Sequence, residues 1–400
     1  MIMSDVHMDS DFEYNGDEKR AECLRAFEKA LGLCSGYGIN YVFIPGDLFD
    51  KRCPDGECVK KALDLIAAQT ETVFLLACGN HDPYAPDSPY ANYKLPGNLF
   101  VFPTREISTF EFSDKSRASD REYMFSTGLS SGKKGVRVYG ASFTGHFEKE
   151  SLLKANDTRV RRLSTDYCNI LLMHGITDPA NGKSPYNPVS SDTIRQYGFD
   201  LAIIGGSHDY NKNGEIICPG CLYPRSFSDL GPKGVVLGDI TPDGKIRTEF
   251  MPIDIIKYEH VNYDVTGADN FSAYAISEGI KKITEKKNCY DIDITGVINY
   301  DENVGVEAIK RELSGYYPEV RVQDKTCKKI DLKLFSSEKN MRGSACVKIR
   351  QRVIEGRKEA ENGNKSSIDE KNYEDALNIL VKSFEAVEKI TFAEEPADEN

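Results

Sequence analysis

Along the first half of the chain the apolar residues come in short blocks, each followed by a polar cluster. Tyr41-Val-Phe-Ile44, residues 72–77, residues 136–140, Ile170-Leu-Leu-Met173 and Leu201-Ala-Ile-Ile204 are nearly continuous runs without alternation. That is the pattern of strands buried on both faces. Helical spacing fills the gaps between the first of them. Cys23, Phe27, Ala30, Leu31 and Cys34 recur within residues 18–34, and Gly36 and Gly38 close that helix. Val59, Leu63 and Ile66 mark a second helix over 57–69. Residues 1–4 read as a very short first strand. Strands alternating with helices predict a sheet covered by helices, with ligands in the loops that follow the strands.

Residues 83–135 carry little regular signal, and 113–134 is polar enough for an exposed excursion. Short strands and turns follow residue 215, including a Pro242-Asp-Gly244 turn. Near residue 257 the character changes. From there to 334, strand-like and helix-like runs alternate over 260–265, 273–281, 290–295, 304–313 and 319–324, a small α/β or α+β domain without a motif of its own. Residues 342–358 are basic, residues 362–367 form a polar linker, and an amphipathic helix over 373–390 precedes an acidic tail.

Composition narrows the class. A chain of 400 residues suggests two to three domains, at roughly 150 residues each. No run approaches the roughly 18–20 apolar residues of a membrane span, and no secretion signal is visible, so a cytoplasmic protein without a membrane partner is expected. Eleven cysteines without framework spacing read as reduced thiols. Cys218-Pro-Gly-Cys221 is a single Cys-x-x-Cys, a zinc signal only if a second pair joins it, and otherwise a turn between strands. A net charge of −12 argues against a protein that coats nucleic acid non-specifically, though it leaves room for a local basic groove.

The polar clusters carry the chemistry. Asp5, His7, Asp47, Asn80, His81, His174 and His208 all lie just after predicted strands, while His146 and His260 lack that setting. Carboxylate and imidazole together suit Mn²⁺, Fe²⁺ or Zn²⁺, and the absence of cysteine at these positions argues against a closed structural zinc site. Two metals about 3.5–4 Å apart, bridged by one carboxylate, would hold a hydroxide that attacks phosphorus in line. Asp47 is the candidate bridge.

Asp5-Val-His7, Gly46-Asp-Leu-Phe-Asp50, Gly79-Asn-His-Asp82 and Met173-His-Gly175 resemble the motifs of the calcineurin-like metallophosphoesterases, and most closely those of the SbcD-type DNA-repair exonucleases. Residues 218–225 and 231–234 are similar to that family's segment after the last metal motif. The resemblance implies a two-sheet sandwich flanked by helices over 1–256, a small α/β DNA-capping domain over 257–335, and C-terminal helices over 336–400. It implies two divalent ions, with Mn²⁺ the leading choice. Asp5, His7 and His208 match the ligands of one metal, Asn80 and His174 those of the other, and Asp47 the bridge. His81 matches the catalytic histidine, and Asp82 could orient its imidazole. Substrate-binding residues are not identified.

One departure matters. The family ends the constellation with Gly-His-x-His, and a gapless alignment gives Gly205-Gly206-Ser207-His208. Gly206 then stands where a ligand of the second metal should be, which weakens that site, and a histidine restored at 206 is expected to strengthen it. A two-residue slip, with His208 as the first histidine, is the alternative register.

Three functions stay open at this stage. The first is a DNA phosphodiesterase, an exonuclease and perhaps also an endonuclease in DNA repair, working with an SbcC-type ATPase that the 373–390 helix would bind; a homodimer is expected by resemblance only. The second is a catalytically weakened scaffold or DNA-end-binding subunit of the same complex. The third is a metallophosphatase for small phosphomonoesters, against which the extra domain counts.

Overall fold

A computed structural model describes residues 1–12, 16–113, 133–160, 163–240, 245–253, 255–299, 302–329, 336–337, 339, 343–348, 351–352 and 355. The chain divides into two compact units. One comprises Met1–Glu259 with Lys287–Cys289, and the other His260–Lys286 with Tyr290–Asn400.

The first unit is built on two sheets. Helix α1 (Gly16–Tyr37) leads to β1 (Tyr41–Ile44), helix α2 (Gly56–Ala67) to β2 (Val73–Ala77), and β3 (Leu99–Phe102) completes a parallel trio in the order β1-β2-β3. Asp55 caps α2, its carboxylate accepting from the amides of Glu57 and Cys58. Ile2 extends this sheet by bridging Phe43 on one side and Val236 on the other. Val236 belongs to Gly234–Ile240, which pairs antiparallel with Ile246–Pro252.

The second sheet has six strands. β4 (Ser108–Ser113), β5 (Gly135–Ala141) and β6 (Tyr167–His174) are followed across the sheet by Leu201–Gly205, Ile216–Cys218 and Asn211–Asn213. Pairing is parallel through the middle and antiparallel at the two outermost pairs.

Strand alternation explains why the predicted runs are apolar on both faces. On β2, Val73, Leu75 and Ala77 join the core between the sheets, while Phe74 and Leu76 face the cluster formed with α1 and α2. On β6, Cys168, Ile170 and Leu172 point inward between the sheets, and Leu171 and Met173 pack outward with Ile194 and Phe199. The result is a two-sheet sandwich with helices on its outer faces, as the resemblance implied. Two strands, β3 and β4, form where little regular signal was read, because Phe100, Phe102 and Phe112 supply inter-sheet core from an otherwise polar stretch.

The second unit holds a three-stranded sheet, Tyr258–Asp264, Cys289–Thr295 and Val320–Asp324. Ala273–Ile283 and Val306–Ser314 cover one face through Ile276, Ile280, Ile309 and Leu313. The Pro242-Asp-Gly244 turn, the 362–367 linker, the 373–390 helix and the acidic tail lie outside the described residues, as do parts of the 342–358 run and nearly all of the 113–134 excursion. Among the described residues no helix is long and apolar enough to cross a membrane.

Phe74 is fully buried, so Phe74→Ala should cost about 3–5 kcal/mol. Equilibrium urea unfolding checks this as a lowered midpoint with an unchanged slope.

Candidate metal centre

Strand ends bring the predicted residues together. Asp5 and His7 follow the bridge at Ile2, Asp47 follows β1, Asn80 and His81 follow β2, His174 ends β6, and His208 follows Leu201–Gly205. Asp5 (φ 47°), His7 (φ 50°) and Asp47 (φ 52°) are left-handed, a conformation costing roughly 1–2 kcal/mol for each non-glycine residue. Their backbones are locked together: Asp5 N donates to Gly46 O (3.2 Å) and His7 N to Asp47 O (3.1 Å). The strain turns the side chains of two separate loops toward one point.

Three imidazoles follow one rule. His174 places Nδ1 2.8 Å from Pro45 O and turns Nε2 to Asn80 Oδ1 (2.9 Å) and Asp47 Oδ2 (3.5 Å). His208 bonds Asp229 Oδ1 through Nδ1 (2.8 Å) and faces Asp5 Oδ1 with Nε2 (3.9 Å). His7 holds Nδ1 2.9 Å from Asp50 Oδ1, out of line for a hydrogen bond, and Nε2 3.8 Å from Asp47 Oδ2. In each ring an oxygen stands at Nδ1, and Nε2 is aimed at a carboxylate or amide oxygen of the cluster.

Imidazole nitrogens and carboxylate oxygens converging in this way are the donor set that a divalent cation takes. Asp5 Oδ1 and His7 Nε2 are buried without a hydrogen-bond partner. Asp5, His7 and His208 form one candidate ligand group, and Asp5, Asp47 and His174 another. Asp5 is common to both groups, and Asp47 Oδ2, 3.8 Å from His7 Nε2 and 3.5 Å from His174 Nε2, also joins the two halves, with Asn80 beside His174. His208 lies with Asp5 and His7, whereas the slipped register would need it beside Asn80 and His174. The donor set fits divalent metal at both halves.

The charges agree with this geometry. Burial would raise Asp47, but His174, His7 and His81 outweigh it and hold its carboxyl below the ordinary range. Burial would likewise lower His174, yet Asp47 and Asp5 raise it. Asp229 is pushed up by burial and pulled down further by His208, to about 2.

Asp82 needs correction. It does not orient His81. Its fully buried carboxylate accepts the amides of Asp47 (3.1 Å), Leu48 (2.9 Å), Phe49 (3.2 Å) and Gly79 (2.9 Å), and the Tyr90 hydroxyl. The carboxylate at the His81 ring is Asp50, whose Oδ1 is 3.2 Å and whose carbonyl oxygen is 3.0 Å from Nδ1. Arg225 Nη1 also reaches Asp50 Oδ1, at 2.8 Å, while its amide donates to Asp229 Oδ2. The sequence reading passed over Asp50, Arg225, Asp229 and Asn187 as site residues. Asp50 and Arg225 had a signal, as the last residues of Gly46-Asp-Leu-Phe-Asp50 and of the 218–225 segment; Asp229 and Asn187 had none.

Gly206 also changes an expectation. A Cβ there would lie 3.1 Å from His174 Nε2, which puts the position at the second half of the centre. Its φ of +96° strains any L side chain, and the same Cβ would meet Gly175 O at 3.0 Å. A histidine at 206 would therefore have to move the loop before it could ligate. Cys218 and Cys221 do not form a pair site: Cys221 groups with His208 and Asp229, and Cys218 Sγ lies by Thr177 Oγ1.

Two outcomes are expected. Asp82→Ala leaves four amides without their acceptor and should cost about 3 kcal/mol or more; a variant of unchanged thermal stability that loses only turnover would return Asp82 to the side of His81. Mn²⁺ at about 100 times its Kd should stabilise the chain by about 2.7 kcal/mol, read as a melting shift that EDTA reverses.

Comparison with known proteins places this geometry. The solved structure of TT1561 of Thermus thermophilus is 14% identical, over 63% of this chain and 97% of its own, with a TM-score of 0.36. The family model for calcineurin-like phosphoesterases matches residues 1–210. The chain belongs to the calcineurin-like phosphoesterase family, and its centre is that of a metal-dependent phosphoester hydrolase.

Proposed function

We propose that the chain is a nuclease: a Mn²⁺-dependent phosphodiesterase that hydrolyses DNA from its ends, in DNA repair, together with an SbcC-type ATPase. The observation that carries the hydrolytic part is the contrast in exposure within one cluster. The side chains of Asp5, His7, Asp47 and His174 are 1–3% exposed, while that of His81 is 38% exposed. These four ligands are sealed for metal, His208 at 24% is partly open, and His81 faces the side from which substrate comes. What favours a polymeric substrate is the four-motif resemblance to SbcD-type exonucleases and the second unit beyond Glu259, for which a small phosphomonoester has no use.

Asp5, His7, His208 and Asp47 would hold one cation, and Asp47, Asn80 and His174 the other. When bound, the pair supplies positive charge for the phosphoryl oxygens and makes water a stronger nucleophile at neutral pH. The chain's own part is proton delivery. Asp50 hydrogen-bonds His81 and, against the pull of burial, raises its pKa to about 9. His81 is then an imidazolium at neutral pH and can protonate the leaving oxygen. Burial opposes the ionisation of Asp50, but His7 and His81 beside it overcome this and keep it charged. Asp50 thus fixes the ring and its charge.

His81→Ala should retain metal content and lose about 100-fold or more in turnover on duplex DNA ends. Metal analysis and turnover in the same sample check it; full activity in the variant would remove His81 from the mechanism. Wild-type activity on nucleotide monoesters without any on DNA ends would favour a small-substrate phosphatase.

A further inference from the structure

An aromatic pair that proton delivery and metal binding do not use stands at the Asn80 and His174 side of the centre. Phe147 is the only exposed phenylalanine among the described residues, 61% open to solvent. Tyr186 stacks on it, with centroids 5.9 Å and planes 29° apart. The two rings come from separate loops that are sewn to each other. Glu148 N donates to Pro185 O (2.9 Å), Asn187 N donates to Glu148 O (2.6 Å), and Glu148 bridges Tyr186 in parallel.

Both loops are also tied to expected metal ligands. His146, the neighbour of Phe147, has Nδ1 3.0 Å from the carbonyl oxygen of Asn80. Asn187, the neighbour of Tyr186, donates through Nδ2 to the carbonyl oxygen of His174 (2.6 Å) and accepts from Leu152 N (2.8 Å). A single exposed apolar side chain is ordinary on a surface. One that is backed by a second ring, and joined through adjacent residues to two groups of the metal centre, is an exposed aromatic face anchored to that centre.

We propose that Phe147, supported by Tyr186, is the platform on which one base of the substrate stacks while its phosphodiester lies at the metal centre. The proposal rests on the nucleic-acid reading above and specifies its substrate: a strand with an unstacked base near the scissile bond, hence a single strand or an opened end. Every base has a π-face, so the platform would hold strands of any sequence.

The test compares a short single-stranded oligonucleotide with a base-free tetrahydrofuran oligomer of equal length, in Mn²⁺, on the full chain. Binding is read by fluorescence anisotropy and turnover as KM and kcat. Phe147→Ala should weaken the base-bearing strand about 5- to 150-fold, equivalent to about 1–3 kcal/mol of stacking, with the loss in Kd and KM more than in kcat. The base-free oligomer should show little of that loss, and Phe147→Trp should restore the base-bearing strand. Equal effects on both oligomers, or none on either, would overturn the platform. If the wild type cleaves the oligonucleotide and Phe147→Ala does so equally well, the platform alone fails. If the wild type hydrolyses monoesters but no oligonucleotide, the nucleic-acid reading fails and takes the platform with it.

Discussion

The centre depends on one buried carboxylate that touches neither metal nor substrate in the assigned roles. Asp82 gathers the amides of Asp47, Leu48 and Phe49 from the loop after β1 and that of Gly79 from the loop after β2. Four N–H donors and the Tyr90 hydroxyl converge on its two oxygens. Burial and the charge of Asp47 push its pKa up to about 7, while Tyr90 and the Gly79 and Phe49 amides pull the other way. With only donors around it, the ionised form is the one that satisfies its surroundings. That bond set is what holds Asp47 in a left-handed conformation. Gly79 completes the fit, since a Cβ there would lie 2.1 Å from Asp47 Oδ1.

From this follows a division of labour among carboxylates that sequence proximity hides. Asp47 and Asp5 face inward, toward imidazole nitrogens. Asp50 and Asp229 stand one layer out and set the rings of His81 and His208. Residues 225–229 connect that layer, because Arg225 reaches Asp50 while its amide is bound to Asp229. So many buried acids repel one another unless paired. Histidines and Arg225 neutralise the outer layer, and imidazoles and divalent cations would share that task in the inner one.

The strand ends were legible because buried parallel strands are continuous apolar runs, and whatever follows such a run sits at one edge of the sheet. Asp5, His7, Asp47, Asn80, His174 and His208 could be collected on that ground alone, and the structure brings them to one place. Roles within the cluster were another matter. His81 and Asp82 are adjacent in sequence, which suggested that one orients the other, but Asp82 points into the loop backbone, where four amides hold it. The true neighbour of the His81 ring, Asp50, is 31 positions earlier. Asp229 and Asn187 act through partners far along the chain, a relation no local spacing reports. β3 and β4 were missed because their aromatic core residues sit among Pro, Asn and Ser, where turn signals outweigh short apolar ones.

Gly206 shows how far a missing ligand is built into the backbone. Its amide donates to Asp5 Oδ2 at 3.1 Å, so the loop serves the first half of the centre at the very position where the family places a ligand of the second. Asp5, His7 and His208 form the first half; the second has Asn80 and His174 and draws on the carboxylates of both Asp47 and Asp5. Asp82 gathers the amides that place Asp47, and the carbonyl oxygens of Gly46 and Asp47 in turn accept the amides of Asp5 and His7, so one carboxylate underlies both halves of the centre.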